Sequence, residues 1–409
     1  MTKRIWLGQR LSDGLLFSLV LKEMDTFFTC EHLVGNQLPA NCFSLDKQGL
    51  ESIHKNKWTS SDIKKIIDIY SQQLRVCLDE GSELFPYYIP VESMADLHNG
   101  RSMINEKVFR CQLVRSLQMY MMNQCKVSTP RWVIPYHLSW EEIVASIGTP
   151  FILQFDNTSS GLGTYLINTK DDYIYFLQRY GNADIATQYI SDSYSCSTHI
   201  WITPKDIQIV SPSMQLIEKN FLTSESEIMT FSFCGNDFGL YASEIGGSDH
   251  IERQLLQIGS LYQRIGVWGL VGVDYIVKDG EFFYNETNFR LQNSTSLLSF
   301  LQPKEANIAT LMLGRGKNIA EIKDGFQYFV ALKASRLLSG IYSDMGEFIS
   351  NYNDSRLINT FDKYLVFVST AKNGLQNIRI IGRGKGYTKS GCINSKVSKF
   401  IERVVDIYG

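Results

Sequence analysis

The spacing of apolar residues alternates between helical and strand-like segments, which predicts an α/β protein. Residues 61–79 place apolar side chains at helical intervals behind Ser60 or Ser61 as N-cap, and short apolar runs flank this segment. That strand–helix–strand order predicts an open α/β layer at the start of the chain. The predicted helices are 61–79, 103–122, 249–264, 326–338 and 391–407. The predicted strands are 5–8, 84–90, 132–134, 185–190, 196–203, 207–210, 271–277, 281–288, 364–369 and 378–381. The turn at 203–206 is expected to join 196–203 and 207–210 as a hairpin.

Composition and charge describe an ordinary globular chain of more than one domain. The 409 residues are 44% hydrophobic and 20% charged, and 40 Lys and Arg against 42 Asp and Glu leave a net charge of −2. This length suggests two or three domains of ~100–200 residues each. A charge balance so close to neutral argues against a nucleic-acid partner.

Cysteine usage and hydropathy favour a cytoplasmic location. The eight cysteines form no CxxC pair and none lies beside a His at metal spacing, so buried, reduced thiols are expected. No apolar run approaches the ~20 residues of a membrane span, so no membrane association is expected. Glu23 and Asp25 follow the apolar run 15–21, where a signal peptide would need small residues.

The segment 272–290 carries the clearest candidate chemistry. A three-residue loop at 278–280 would pair Asp274 with Tyr284 across a hairpin. Strand alternation would then place four side chains on one face: Asp274, Tyr284, Glu286 and Asn288. Two carboxylates and an amide oxygen on one face suit Mg²⁺, and Arg290 beside them would face phosphoryl or carboxylate oxygens.

Two alternatives to this metal site stay open. An exposed polar face of a hairpin also carries Asp, Glu and Asn. In addition, a two-residue turn at 279–280 would move Asp274 to the opposite face, because side chains alternate along a strand.

Three further segments could contact a ligand. Residues 150–165 run from an apolar strand through a Ser/Gly loop into a second strand, and backbone N–H groups of such a loop can surround phosphate oxygens. This loop matches neither GxxxxGK[ST] nor GxGxxG, and a plain hairpin loop is the alternative. Lys107 lies toward the edge of its predicted helix, where a solvated lysine is the simpler interpretation. For the Gly/Lys stretch 381–387, a mobile basic hairpin loop is favoured over a loop that closes on an anion or a carrier protein.

Taken in order, Lys107, the Ser/Gly loop and the 272–290 hairpin resemble the ATP-grasp family over about residues 103–297. Asp274 and Glu286 are twelve positions apart, and Glu-Thr-Asn-Phe-Arg from Glu286 onward is similar to the Glu-x-Asn-x-Arg of that family. The resemblance implies an α/β ATP-grasp fold.

The resemblance also implies a division into three parts. Residues 1–100 would form an N-terminal pre-ATP-grasp α/β domain. Residues 101–300 would form the ATP-grasp core, with its lid at about 130–190. Residues 301–409 would form a smaller C-terminal α/β domain.

Roles for individual residues follow from the same resemblance. Asp274, Glu286 and Asn288 would hold Mg²⁺, with Mn²⁺ as an alternative ion, and Arg290 would contact the acyl phosphate. The residues implied in ATP binding are Lys107, Gln154, Ser159, Ser160, Gly161, Gly163, Gln188, Tyr189 and Ile190. The serines and glycines of this set would cover the β and γ phosphates, and the last three residues would form the hinge under adenine.

Gln154 departs from the family pattern, because relatives usually carry a phosphate-contacting lysine at that place. An amide can donate a hydrogen bond to a phosphate oxygen but brings no charge. Either another cation compensates or the nucleotide binds more weakly. A non-catalytic nucleotide-binding regulatory protein is therefore the alternative from a different functional class.

The activity that the resemblance implies is ATP-dependent ligation of a carboxylate, in an amino acid or peptide, to an amine through an acyl phosphate. Asn293, Ser294 and Thr295 replace the Val-Glu-His of biotin carboxylase, so carboxylation is not expected. The stretch from Arg290 to Thr295 is more similar to amino-acid and peptide ligases of natural-product biosynthesis. Some of these load a carrier-protein thiol, so a thiol acceptor and a carrier-protein partner stay open. A homo-oligomer stays open as well.

Overall fold

The computed structural model describes the following residues: 4–8, 26–29, 32–33, 42–44, 83–86, 114–156, 158, 161, 163–219, 229, 231–289, 291–312, 318–333, 365–370, 375–388, 394–395, 397–399 and 402. The chain divides into two compact units. Unit 1 consists of Met1–Ile104, Gly235–Glu244 and Arg290–Gly409, and unit 2 of Asn105–Cys234 and Ile245–Phe289. The three-part division into 1–100, 101–300 and 301–409 stays a prediction.

The described chain contains both strands and α-helices, and strands outnumber helices. The strands are β1 Arg4–Gly8, β2 Thr26–Thr29, β3 His32–Leu33, β4 Cys42–Ser44, β5 Glu83–Pro86, β6 Trp132–Val133, β7 Phe151–Gln154, β8 Thr164–Ile167, β9 Ile185–Gln188, β10 Tyr194–Ile202, β11 Ile207–Lys219, β12 Phe231–Asp237, β13 Gly269–Lys278, β14 Glu281–Asn288, β15 Phe326–Lys333, β16 Leu365–Thr370 and β17 Leu375–Gly382. The α-helices are α1 Arg115–Gln124, α2 Trp140–Ile147, α3 Lys170–Tyr180, α4 Phe238–Glu244, α5 Asp249–Arg264, α6 Asn293–Leu301 and α7 Ile308–Met312. A 3₁₀ helix covers Lys304–Ala306. Within the described part of the chain, no helix has both the length and the apolar character needed to cross a membrane.

Unit 1 contains a four-stranded parallel sheet within the first hundred residues, where an open α/β layer is predicted. Strand β1 pairs in parallel with β2 and β5, and β2 pairs in parallel with β4, which gives the order β4-β2-β1-β5. Ile5 and Trp6 of β1 are fully buried, as expected for a parallel strand that is covered on both faces. The helix predicted at 61–79 lies outside the described residues.

The helix predicted at 326–338 is wrong over its described part, because Phe326–Lys333 forms strand β15. This strand lies between β12 and β17 in the order β12-β15-β17-β16-β3. Phe326, Gln327 and Tyr328 are all buried, so both faces of the strand are covered at this point. A strand buried on both faces does not alternate apolar and polar residues, and its pattern is easily mistaken for that of a buried helix.

Unit 2 contains a small four-stranded antiparallel sheet in the order β6-β9-β7-β8. Helices α2 and α3 belong to the same unit, and each begins with a capping box. In each box the hydroxyl of the N-cap residue and a carboxylate three positions later accept hydrogen bonds from backbone N–H groups, and the N-cap residues are Ser139 and Thr169. Phe151 of β7 and Phe176 of α3 are fully buried in the core that these elements share. We call this sheet the small sheet.

The larger antiparallel sheet of unit 2 carries strands in the order β14-β13-β10-β11. The Thr203–Asp206 turn joins β10 to β11, as predicted, with the Thr203 N–H donating to the Asp206 carbonyl. Helix α5 has the bounds predicted for it and buries Leu255, Ile258 and Tyr262 at helical spacing. Contacts join it to β10, β11 and β14, and helix α1 contacts β14. Strand β14 thus lies against two helices.

Candidate functional site

The hairpin of β13 and β14 differs from its predicted register in two places. Its loop has two residues, Asp279 and Gly280, both with positive φ, so Lys278 pairs with Glu281 and Tyr275 with Tyr284. The predicted three-residue loop is therefore wrong. Taken alone, a two-residue turn would place Asp274 on the face opposite Glu286.

A β-bulge beyond Tyr284 restores the facing of the two carboxylates. The register shifts between Asp274 and Tyr275, so that Asn285 is the extra residue and Asp274 pairs directly with Glu286. The prediction that Tyr284 shares their face is wrong, since its fully buried side chain reaches the helix α1 instead. The bulge therefore decides which side chains of β14 face Asp274.

The structure brings Asp274, Glu286 and Asn288 together on one face of this hairpin. Asp274 and Glu286 are cross-strand neighbours, and Asn288 Nδ2 donates to Asp274 Oδ2 over 3.1 Å. The other amide atom, Asn288 Oδ1, is buried and has no hydrogen-bond partner among the described residues. A buried amide oxygen without a donor is destabilised unless something electropositive reaches it.

These three side chains fit a magnesium ion. Mg²⁺ binds through one or two carboxylates and neutral oxygens, and completes its octahedron with water and phosphate oxygens. The described residues contain no cluster of three His, Cys, Asp or Glu side chains with metal-ligand geometry. A set of two carboxylates and one amide differs from such a cluster and leaves room for a ligand that is not protein.

Arg115 places a positive charge beside one of these carboxylates, that of Glu286. Its Nη1 lies 2.6 Å from Glu286 Oε2, and the two side chains are only 11% and 19% exposed. Its backbone N–H donates to Asp156 Oδ1 over 3.0 Å. Sequence reasoning missed Arg115, because nothing in the local pattern separates it from Lys107 or Arg110 on the same predicted helix.

Asp156, which sequence reasoning also missed, follows strand β7 at the start of the Ser/Gly loop. Burial raises the pKa of its carboxyl, and the N–H donated by Arg115 partly opposes that rise. The charges of Asp184 and Glu286 act in the same direction as burial. Arg115 thus connects the start of the loop to the strand that carries Glu286.

The loop between β7 and β8 turns at two glycines. Gly161 and Gly163 have φ of 80° and 78°, a region that glycine adopts without strain. The Thr164 N–H donates to the Gly161 carbonyl and the Phe155 N–H to the Gly163 carbonyl, which closes the loop.

Gln154 ends strand β7 in a buried position. Its Nε2 donates to Thr164 Oγ1 over 3.3 Å, across the pair of strands that flank the loop. The position at which the resemblance implies a lysine therefore holds a neutral side chain that is hydrogen-bonded to Thr164.

The predicted hinge follows strand β9. The Gln188 N–H donates to the Arg131 carbonyl and the Tyr189 N–H to the Pro150 carbonyl, while Ile190 is buried. A base bound at this segment would therefore depend on backbone groups other than these two N–H groups. Four predicted site residues lie outside the described residues: Lys107, Ser159, Ser160 and Arg290.

Comparison by sequence gives no family, since no protein-family profile and no curated protein sequence matches the chain. Solved structures match it along nearly its whole length. N5-carboxyaminoimidazole synthetase from Staphylococcus aureus, complexed with ADP, has a TM-score of 0.59 at 11% identity and covers 100% of this chain and 97% of its own. The L-amino acid ligase from Bacillus licheniformis has a TM-score of 0.58 at 11% identity, with 100% and 98% covered.

A third match is the biotin carboxylase domain of the 2-oxoglutarate carboxylase from Hydrogenobacter thermophilus, in complex with MgADP and bicarbonate. Its TM-score is 0.60 at 11% identity, and the match covers 94% of this chain and 87% of that one. The chain has the ATP-grasp fold.

The ATP-grasp fold confirms the fold class that the resemblance implied. At 11% identity the likeness shows the fold alone, so the roles of single residues stay predictions. The small sheet runs from Trp132 to Gln188, inside the segment predicted as the lid. The face that carries Asp274, Glu286 and Asn288, which we call the candidate metal face, belongs to the larger sheet of the same unit.

Proposed function

We propose that this chain is an ATP- and Mg²⁺-dependent ligase, which activates the carboxylate of an amino acid or peptide as an acyl phosphate and transfers the acyl group to an amine. The observation that carries the proposal is the pairing of Asp274 with Glu286 beside the buried, unpartnered oxygen of Asn288. In the ATP-grasp fold, such a face suits a metal that holds the phosphates of a nucleotide.

Structural relatives support the nucleotide and the reaction class. One is a synthetase complexed with ADP, another a carboxylase domain with MgADP and bicarbonate, and a third an L-amino acid ligase. Bicarbonate and an amino acid both present a carboxylate-type oxygen. We propose that this chain likewise activates a carboxylate oxygen with ATP.

The proposed reaction has two steps. A carboxylate oxygen attacks the γ-phosphorus of ATP, the bond between that phosphorus and the β,γ-bridging oxygen breaks, and ADP leaves. An amine nitrogen then attacks the acyl carbon, the bond from that carbon to the phosphate oxygen breaks, and the amine gives up a proton as phosphate leaves. Both steps are favoured by stabilising the negative charge that develops on the transferred groups.

The residues of this chain divide that work. Asp274, Glu286 and Asn288 would hold Mg²⁺, which when bound neutralises phosphate charge and orients the triphosphate. Arg115 lies beside Glu286 and would supply a fixed cation for phosphate oxygens. Arg290 would contact the acyl phosphate, and the loop with Gly161 and Gly163 would cover the phosphates with its backbone N–H groups. The 188–190 segment would lie under adenine.

Substitution of one carboxylate oxygen tests the proposal. Glu286→Gln keeps the size of the side chain but removes a charge from the metal face, so Mg²⁺-dependent release of ADP should fall by at least a hundredfold. Glu281→Gln makes the same change at the exposed start of strand β14 and should leave the rate within twofold. A panel of amino acids with amine acceptors and carrier-protein thiols, assayed for ADP against AMP, identifies the acceptor. Unchanged turnover in folded Glu286→Gln would refute the site, and AMP release would refute the acyl phosphate.

A second candidate is a nucleotide-binding regulatory protein without catalysis, which the neutral Gln154 favours. The intact set of Asp274, Glu286 and Asn288 argues against it, because a protein without turnover has less need of two carboxylates on one metal face. ATP binding without ADP release, across the whole substrate panel, would establish this alternative.

A further inference from the structure

One side chain of helix α1 occupies the outer edge of strand β14. Gln118 is 1% exposed, and its carboxamide meets both backbone groups of Thr287. The Thr287 N–H donates to Gln118 Oε1 over 2.8 Å, and Gln118 Nε2 donates to the Thr287 carbonyl over 3.3 Å. Strand β14 ends the order β14-β13-β10-β11, so this amide pairs with the edge of the strand as the peptide of a neighbouring strand would.

Tyr284 joins the same buried group on the other side of the bulge. Its hydroxyl donates to Gln118 Oε1 over 2.5 Å and is hydrogen-bonded to Thr287 Oγ1 over 2.9 Å. The Tyr284 N–H donates to the Ser128 carbonyl. Tyr284 and Thr287 flank Asn285 and Glu286, so Gln118 binds β14 on both sides of the extra residue.

Arg115 lies three positions before Gln118 on the same face of helix α1. Arg115 reaches Glu286 and Gln118 reaches Thr287, two successive residues of β14. One helix face therefore fixes both the outward backbone of the bulged strand and the carboxylate that the bulge presents to Asp274. A one-residue slip of β14 would turn Glu286 to the opposite face.

We propose that Gln118, held by Tyr284 and Thr287, is a positioning residue that locks the bulge in β14 and so keeps Glu286 and Asn288 aimed at the metal. This inference rests on the proposed Mg²⁺-dependent binding of ATP. It assigns Gln118 no contact with nucleotide or metal. Residues that orient metal ligands typically affect metal affinity by 10–100-fold when they are replaced.

The test separates metal positioning from general stability. ATP binding is measured by calorimetry in EDTA and in excess Mg²⁺, and the ratio of the two dissociation constants gives the tightening caused by the metal. Gln118→Met keeps the length of the side chain but removes both amide groups, so this tightening should fall at least tenfold while affinity in EDTA changes less than threefold. Gln118→Glu still accepts hydrogen bonds from Thr287 and Tyr284, and it should recover part of the loss. Gln124→Met, on an exposed position of the same helix, is the matched control and should behave as wild type.

Thermal melting of each variant completes the design. If Gln118 only stabilises the fold, Gln118→Met should lower the melting temperature, while Mg²⁺ should tighten ATP binding by the folded variant as much as in wild type. That result would overturn the inference. If Gln118→Met does not fold, Tyr284→Phe decides by the same ratio, with a smaller loss in the same direction expected. Loss of the tightening in Glu286→Gln but not in folded Gln118→Met would overturn this inference alone. Absence of any tightening in wild type would overturn the proposed function as well.

Discussion

Arg115 on helix α1 and Glu286 on strand β14 form an ion pair in which 2.6 Å separates Nη1 from Oε2. The same arginine binds Asp156 through its backbone N–H, so one residue joins the loop after β7 to the candidate metal face. Gln154, at the end of β7, carries no charge. In the proposed function, Arg115 on helix α1 would supply the positive charge that the ATP-grasp resemblance implies at position 154.

Removal of that charge should weaken nucleotide binding. Arg115→Met deletes the cation next to Glu286 and leaves three carboxylates in this region, those of Asp156, Asp274 and Glu286, without it. The dissociation constant for ATP in Mg²⁺ should rise at least tenfold, because a partly enclosed charge contact with phosphate is lost. Calorimetric titration measures the change, and Arg253→Met, at an exposed position on α5, is the control. Equal affinities for wild type and Arg115→Met would exclude a phosphate contact.

A lysine at position 154 should strengthen nucleotide binding. Gln154→Lys places an ammonium at the end of β7, where the ATP-grasp resemblance implies a lysine, and the affinity for ATP should increase severalfold. Gln154→Met has a similar length without charge or hydrogen bonding and should bind ATP no better than wild type. Weaker binding by Gln154→Lys would show that position 154 does not face the phosphates.

The loop after β7 should not tolerate a side chain at Gly163. With φ at 78°, a Cβ at this residue would lie 2.7 Å from Thr158 Cγ2. Gly181 has φ at 79° but nothing within 4 Å of its Cβ position, so Gly181→Ala carries the same backbone strain without the clash. Gly163→Ala should raise the KM for ATP severalfold more than Gly181→Ala does. Equal effects would mean that backbone strain alone matters.

Acid should destabilise the protein through His199. Burial lowers the pKa of this imidazole to about 3 from an ordinary value of 6.5. Below pH 6.5 the unfolded chain takes up a proton that the folded chain excludes, so the free energy of unfolding falls as pH decreases toward 3. Between pH 7 and pH 5, protonation of this imidazole in the unfolded chain should lower the free energy of unfolding by on the order of 2 kcal/mol.

Urea denaturation at the two pH values measures this effect. His199→Gln should flatten the dependence, whereas His137→Gln, at an exposed histidine, should leave it as in wild type. A dependence that persists in His199→Gln would show that another group is responsible.

Local sequence patterns predict the type and bounds of an element correctly where only one of its faces is buried. The apolar spacing of helix α5 predicted its bounds, and the Thr203–Asp206 turn predicted the hairpin of β10 and β11, because both depend on neighbours in sequence. Strand β15 was mistaken for a helix, because burial on both faces erases the alternation that distinguishes a strand.

The candidate metal face shows a second limit of prediction from sequence, which concerns the register of the two strands. Asp274, Glu286 and Asn288 were predicted to share a face through a three-residue loop, and the structure reaches the same facing through a two-residue turn and a bulge at Asn285. Two errors of one residue each cancelled. A turn type can be read from Asp279 and Gly280, but a bulge leaves no comparable pattern in the sequence.

The sequence by itself determined the α/β class, most of the described strands and the presence of two carboxylates and an amide in the β13–β14 hairpin, because these depend on residue type and on spacing within one element. Only the tertiary structure decided that Arg115 lies beside Glu286 and that Gln118 is hydrogen-bonded to the bulged strand at Thr287. Those two contacts join a helix to a strand far along the chain. Both contacts depend on how α1 packs against β14, and the spacing of residues within one element does not encode that packing.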